Sequence, residues 1–118
     1  MALLSKDAIL SVDDRESVTV DVEEWGGSVV LRVPSAGQFD GWSSRHTNAE
    51  GRFAVTGTTR TELVAMCLVD ADGNNMFSSK ELEKLGNKSL AVIADLFIRC
   101  KELCGITEDD IEDTEKNS

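Results

Sequence analysis

The segment Leu90–Cys104 reads LAVIADLFIRCKELC and decides much of the fold. Its apolar residues recur at three- and four-residue spacing, and its charged residues fall on the opposite side, as in an amphipathic helix. Ser89 stands at the N-cap position, and Gly105 stands where a glycine commonly follows a helix. The pattern therefore predicts a helix over these residues that packs one side into a core.

Upstream, two runs have the composition of β-strands. Ser17–Val22 (SVTVDV) alternates polar and apolar residues, and residues 28–33 (SVVLRV) are rich in β-branched side chains. Gly26 and Gly27 lie between the two runs. Strand-like runs around a glycine pair predict a β-hairpin.

The chain between the hairpin and the long helix is harder to assign. Ser35 is the expected N-cap of a short helix, and residues 43–61 are polar and glycine-containing, so we expect a loop there with residues 53–55 as a small anchor. Residues 63–69 (LVAMCLV) fit a buried strand or a buried helix, and periodicity does not separate the two. We favour a strand, because the turn-forming residues 70–75 (DADGNN) follow. A short helix over residues 80–85 completes this region.

These elements predict an α+β fold: a small single domain over residues 1–106, with an N-terminal β-hairpin and a mainly helical C-terminal half. With 118 residues, the chain can bury about two-thirds of its surface, which is enough for one core. Residues 107–118 are expected to form an acidic C-terminal helical tail, because Thr107 and Asp110 have the spacing of a capping box.

The net charge of −10 is concentrated at the two ends of the chain. Residues 1–24 and residues 107–118 each sum to −5, and the residues between them are neutral. Phosphate binding needs clustered Lys and Arg, so nucleic acid and anionic membranes are not expected as partners. The sequence has neither an apolar run of about 18 residues nor a typical secretory signal, and we expect a cytosolic protein.

Cys67, Cys100 and Cys104 lack the spacing of a disulfide framework, so we expect reduced, structural thiols. Cys100 and Cys104 could contact two corners of one metal ion, but His46 is the only histidine in the chain. It lies in a polar stretch and is expected to face solvent. No phosphate loop, dinucleotide fingerprint or nucleophile elbow is present, so neither catalytic residues nor a cofactor is predicted.

Residues 70–81 have the oxygen spacing of an EF-hand calcium loop, with an apolar residue at position 8. Position 6 holds Asn75 instead of glycine. The alternative is that the same residues form a connecting turn followed by a helix cap. The residues alone leave the two interpretations equally open. The calcium ligands would be Asp70, Asp72, Asn74, Ser78 and Glu81.

Trp25 and Trp42 are either core residues or contacts for a binding partner, since aromatic side chains near turns stay accessible in many interfaces. Phe39 and Phe53 are the other aromatic candidates for partner contact.

The second half of the chain resembles the tail assembly chaperones of long-tailed, lambda-like bacteriophages. The resemblance extends over about residues 60–118. It includes residues 63–78 (LVAMCLVDADGNNMFS), the spacer at residues 86–89 (GNKS), residues 103–112 (LCGITEDDIE) and the short acidic end. The order and spacing of these motifs carry the likeness.

The resemblance implies a protein without enzymatic activity in the host cell cytoplasm. Such chaperones bind the aggregation-prone tape measure protein, help to recruit tail tube subunits, and are absent from the mature virion. In many relatives a programmed frameshift yields a longer product that contacts the tail tube protein. The resemblance also implies self-association, and it favours the chaperone over the calcium-binding alternative.

Overall fold

A computed structural model describes residues 2–52 and 58–106 of the chain. Phe53 and the predicted tail over residues 107–118 lie outside the described residues. In the part that is described, no helix is long and apolar enough to cross a membrane.

The predicted hairpin is confirmed. Strand β1 (Ser17–Val22) pairs antiparallel with β2 (Gly27–Arg32), and the register places Val22 opposite Gly27. A 3₁₀ turn over Glu23–Trp25 joins the strands and ends at Gly26, whose φ of 73° lies in the left-handed region that glycine adopts without strain. The short strand β3 (Leu68–Val69) then pairs antiparallel with β2, so the sheet order is β1-β2-β3.

The helices, in chain order, are α1 (Lys6–Ser11), α2 (Ala36–His46), α3 (Thr59–Cys67), α4 (Leu82–Gly86) and α5 (Leu90–Cys104). A 3₁₀ turn over Ser79–Glu81 precedes α4. The long helix α5 has the predicted bounds, with Ser89 and Gly105 at its caps. The sequence pattern does not indicate helix α1, because this helix buries no residue and therefore has no core-facing stripe.

The loop predicted over residues 43–61 is wrong at both ends. Helix α2 continues through His46, and α3 begins at Thr59. Ser35 and Gln38 form a reciprocal capping box that starts α2, with the Gln38 N–H donating to Ser35 Oγ over 3.2 Å and Gln38 Oε1 accepting from the Ser35 N–H over 3.0 Å. This cap and the burial of Trp42 offset the low helix propensity of the glycines in α2.

The strand favoured for residues 63–69 is also wrong for most of its length. These residues are helical through Cys67, and only Leu68 and Val69 are extended. Helix α3 packs against α5, and its last five residues, 63–67, bury Leu63, Val64, Ala65 and Cys67, so this part of the helix is apolar on most sides. A helix buried on most sides has no polar face from which its period could be read.

One core joins the sheet to α2, α3 and α5. Its most completely buried side chains come from all of these elements and include Leu31, Trp42, Leu63, Leu68, Leu96 and Cys100. The structure is thus a small single domain of the α+β class, as predicted.

Candidate partner-binding surface

The structure places Trp42 in the core, where it is 1% exposed. Its indole Nε1–H donates to the backbone oxygen of Thr59 over 3.2 Å, and its ring lies 5.7 Å from that of Phe39 between centroids. The interpretation of Trp42 as a surface contact is therefore corrected: it stabilises the junction of α2 and α3.

Phe39 and Trp25 are half-buried side chains that pack against the core from its edge. Phe39 lies on α2, and Trp25 ends the turn between β1 and β2. The two are on different elements, and the structure does not gather the predicted aromatic residues into one patch.

A groove that the sequence did not indicate lies between α2, α3 and the segment leading into α4. Its volume is about 310 Å³. Its apolar lining consists of Ala65, Met66, Phe77 and Leu82, and its polar lining consists of Gln38, Arg45, Glu62, Asn75, Ser78 and Ser79. We call it the α2–α3 groove. A concave site with an apolar floor and a polar rim is the usual form of a small binding site.

Asn75 fixes the shape of this groove. Its Nδ2 group donates to the backbone oxygen of Met66 over 2.8 Å, and its Oδ1 accepts from Gln38 Nε2 over 3.0 Å. One side chain thus ties the segment after β3 to both α3 and α2. The floor residues Met66 and Phe77 are held by elements that Asn75 connects.

At the polar rim, Glu62 forms an ion pair with Arg45 and lies close to the imidazole of His46. Arg45 Nη2 lies 2.7 Å from Glu62 Oε2, and His46 Nε2 lies 3.3 Å from the same oxygen. Burial raises the pKa of Glu62, but hydrogen bonds from Arg45 and His46 outweigh it and hold that pKa below its usual value. Glu62 therefore stays ionised and presents a negative charge at one end of the groove.

His46 is not the solvent-facing loop residue that the sequence suggested. It is 5% exposed in the last turn of α2, and its Nδ1 lies 3.1 Å from Thr59 Oγ1. Thr59 is itself 1% exposed. The pair holds α2 against α3 within the core.

The segment that resembles a calcium loop forms a turn and a helix cap instead. Asp70 Oδ1 accepts from the N–H groups of Asp72 and Asn74 over 2.9 Å and 3.0 Å, so it binds its own turn. Glu81 Oε1 accepts from the N–H group of Ser78 over 3.1 Å as part of a capping box. The left-handed residue is Gly73, with a φ of 85°, and not the residue at loop position 6.

These contacts give the EF-hand alternative no support. Among residues 2–52 and 58–106, no group of three or more His, Cys, Asp or Glu side chains is placed to hold a metal ion.

The three cysteines are free thiols between α3 and α5, two of them buried and Cys104 half-buried. Hydrogen bonding to Cys100 and burial raise the pKa of Cys67, and hydrogen bonding to Cys67 and burial raise the pKa of Cys104. Both groups are therefore protonated thiols at neutral pH, which agrees with a structural role.

The residues that sequence reasoning missed are Met66, Phe77 and Leu82. Met66 is the half-exposed residue in the otherwise buried run of α3, and its flexible thioether is a common feature of surfaces that bind helices. Phe77 is the apolar residue at position 8 of the supposed calcium loop.

The fold is that of a small α+β domain, and the α2–α3 groove is its candidate binding site. The family model for the phage tail assembly chaperone matches residues 6–117 of the chain. The chain therefore belongs to the phage tail assembly chaperone family. The match extends the resemblance through the N-terminal hairpin.

A solved structure of the bacteriophage HK97 tail assembly chaperone has a similar fold. The TM-score is 0.58 at 26% sequence identity, and the alignment covers 75% of this chain and 85% of the HK97 chain. No curated protein sequence matches this chain significantly.

Proposed function

We propose that this chain binds the tape measure protein of its phage, keeps it soluble and helps to recruit tail tube subunits during tail morphogenesis. Membership of the tail assembly chaperone family supports an assembly role. The observation that supports client binding is the α2–α3 groove, because it presents apolar side chains in a concave site on the surface of the folded domain.

The proposed client segment is an amphipathic helix. Helix-in-groove recognition requires an apolar floor for one face of the helix and a polar rim that leaves the other face in water. Met66, Phe77 and Leu82 supply such a floor, and Arg45 and Glu62 lie at the rim. A tape measure protein is a long helical chain, so it presents many such faces before the tail tube covers it.

The net charge of −10 suits a chaperone that carries an apolar client. High net charge of one sign keeps a complex soluble and opposes association of client-loaded complexes. We place this role in the host cell cytoplasm, and we expect the chain to be absent from purified virions.

Co-expression of the tape measure protein with this chain tests the proposal. The groove variant is the double substitution Met66→Gln and Leu82→Gln, which replaces two apolar floor residues by polar ones. The matched control is Met76→Gln, because Met76 is 52% exposed and does not line the groove. The readouts are soluble tape measure protein and its co-purification with the chaperone.

The wild type and the Met76→Gln control are expected to keep the tape measure protein soluble. The groove variant is expected to weaken co-purification by about tenfold, since two lost apolar contacts are worth about 1.4 kcal/mol or more. Circular dichroism should confirm that the groove variant is folded. If all three proteins then co-purify equally with the tape measure protein, the groove is not the client-binding site.

The aromatic residues at the edge of the core remain proposed contacts. Alanine at Trp25 and, separately, at Phe39 is expected to weaken binding less than the groove variant, because each ring is already half-buried within its own chain. Binding that depends on Trp25 and not on Met66 would move the client site to the hairpin turn.

Recruitment of the tail tube protein is proposed to use a longer, frameshifted form of this chain. The support is the family's assembly role. Mass spectrometry of phage-infected cells should detect peptides that continue past the frame of this sequence, and affinity capture of that longer form should enrich the tail tube protein. Capture by the short form alone would contradict this division of roles.

A further inference from the structure

The α2–α3 groove has two ends that differ in chemistry. At one end, the neutral amides of Gln38 and Asn75 bond to each other over 3.0 Å. At the other end, an ion pair joins Arg45 in the last turn of α2 to Glu62 in the first turn of α3. These two are the charged side chains among the described residues that line the groove. Any recognition of charge by the groove therefore falls at the Arg45–Glu62 end.

The carboxylate of Glu62 is held through one of its two oxygens. Arg45 donates to Oε2 from Nε over 3.1 Å and from Nη2 over 2.7 Å, and His46 Nε2 lies 3.3 Å from the same oxygen. Within residues 2–52 and 58–106, no group donates a hydrogen bond to Oε1. Each carboxylate oxygen has two lone pairs, so Oε1 retains its capacity to accept from a bound partner.

The carboxylate of Glu62 is better placed than the guanidinium of Arg45 to recognise a partner. The side chain of Glu62 is 16% exposed and that of Arg45 is 57% exposed. A hydrogen bond to a charged group gains strength where water is excluded, whereas an exposed ion pair contributes little. Arg45 also directs Nε and Nη2 to Glu62, and its Nη1 lies beside Gly41 on its own helix. We therefore expect a donor, and not an acid, on the partner at this end.

The charge of the whole chain favours the same kind of partner. The chain carries a net charge of −10, which attracts a cationic segment from a distance and raises its rate of association. Glu62 contributes a fixed negative charge at neutral pH, because its hydrogen bonds hold its pKa below the usual value. Long-range attraction and the local acceptor both select a cation.

We propose that the α2–α3 groove selects a basic amphipathic helix, in which a lysine or arginine beside the apolar face donates to Glu62 Oε1. The apolar face covers the floor at Met66 and Leu82, and residues three or four positions apart share one side of a helix, so both contacts form together. This specificity rests on the proposed function of the groove in client binding, and it states the chemistry of the client segment.

Binding of synthetic helices to the purified full chain tests the charge preference. The probes are end-capped amphipathic peptides of about 18 residues with identical apolar faces. They differ at one position, one turn beyond the last apolar residue, which holds lysine, glutamine or glutamate. Fluorescence anisotropy at low and at physiological ionic strength measures the affinities. We expect the lysine peptide to bind about five- to tenfold more tightly than the glutamine peptide, and the glutamate peptide to bind most weakly.

Three variants assign the preference to Glu62. Glu62→Gln should remove the advantage of the lysine peptide and change the affinity of the glutamine peptide little. The matched control is Glu50→Gln, which makes the same change in net charge at an exposed residue outside the groove and should keep the preference. If Glu62→Gln fails to fold, Arg45→Ala decides the result: it removes a largely exposed cation that competes for the carboxylate, so the lysine peptide should bind more tightly.

Equal affinities for the three peptides, or weaker binding of the lysine peptide by Arg45→Ala, would overturn the proposal. So would a glutamate peptide that binds most tightly and loses its advantage on Arg45→Ala, because the guanidinium would then recognise the client.

The double substitution of Met66→Gln and Leu82→Gln separates this proposal from the proposed function. If it weakens all three peptides equally and no charge preference exists, only the specificity fails. If no peptide binds, or if the double substitution leaves every affinity unchanged, the groove is not the client site and both proposals fail.

Discussion

The two edges of the sheet differ in whether another part of the chain pairs with them. At the β3 edge the chain turns back on itself: the Met76 N–H donates to the Leu68 oxygen over 3.2 Å, and the Asp70 N–H donates to the Asn74 oxygen over 2.8 Å. A further bridge pairs Val69 with Asn75. At the β1 edge no described residue does this. The molecule therefore closes one edge with its own turn and leaves a longer one open.

The comparison assigns a structural role to the segment with the oxygen spacing of a calcium loop. Asp70 uses its carboxylate to hold the turn, and Asn75 uses its amide to hold the segment against α3. Asn75 also lines the α2–α3 groove. The turn that closes the β3 edge therefore also contributes to the proposed client site. The β1 edge contributes to neither.

The largest expected difference between the edges is in stability. Leu68→Ala should lower the free energy of unfolding by about 2–5 kcal/mol, because Leu68 is 1% exposed and the substitution leaves a cavity. Val18→Ala should cost less than about 1 kcal/mol, because Val18 is partly exposed in the monomer. Urea denaturation at a concentration where the chain is monomeric measures both. Equal losses would mean that the β1 edge is as well packed as the β3 edge.

The side chain of Asn75 should contribute to the stability of the turn that closes the β3 edge. Asn75→Ala is expected to cost about 0.5–1.5 kcal/mol, the net contribution of a typical hydrogen bond, because the backbone oxygen of Met66 and the amide of Gln38 each lose a protein partner at an exposed position. Asn74→Ala is the control, since that side chain makes no hydrogen bond among the described residues. If thermal unfolding shows the same loss for both variants, the amide does not hold the turn.

A smaller effect should appear at acid pH. The backbone N–H of Arg15 and the guanidinium of Arg32 hold the pKa of Asp13 below its ordinary value of 3.8. Since the folded pKa is the lower one, the stabilisation is present above that ordinary value and is lost as the pH falls through the folded pKa. Asp13→Asn should therefore reduce the fall in melting temperature between pH 5 and about pH 3. An unchanged fall would indicate that the contact does not form in solution.

Calcium should have the smallest effect of all. Because Asp70 and Glu81 already accept hydrogen bonds from the turn and the cap, millimolar Ca²⁺ is expected to leave the melting temperature unchanged. Mg²⁺ at equal ionic strength is the control. A rise specific to Ca²⁺ would mean that the closing turn rearranges into a metal-binding loop.

The elements with a regular polar and apolar pattern were predictable. Alternation in Ser17–Val22 indicated β1, and the stripe of Leu90–Cys104 indicated α5 with its caps. Helix α3 was not predictable in this way, because its residues 63–67 are apolar on most sides and this run therefore shows no period. Helix α1 was missed for the opposite reason: it buries nothing.

The candidate site was less accessible to sequence reasoning than the fold. Aromatic type alone selected Trp42, but its burial depends on the meeting of α2 and α3, which no local pattern reports. The groove needs Met66 from α3 and Phe77 from the segment after the turn. Their proximity depends on the contacts of Asn75, and these are tertiary contacts that a local sequence pattern does not reveal.

Chemical-shift mapping of the isotope-labelled chain with a helical fragment of the tape measure protein tests the central claim most directly. The account predicts shifts at Met66, Phe77 and Leu82, with the resonances of Ser17–Val22 unchanged at constant chaperone concentration. Shifts confined to β1, with none at the three groove residues, would contradict it.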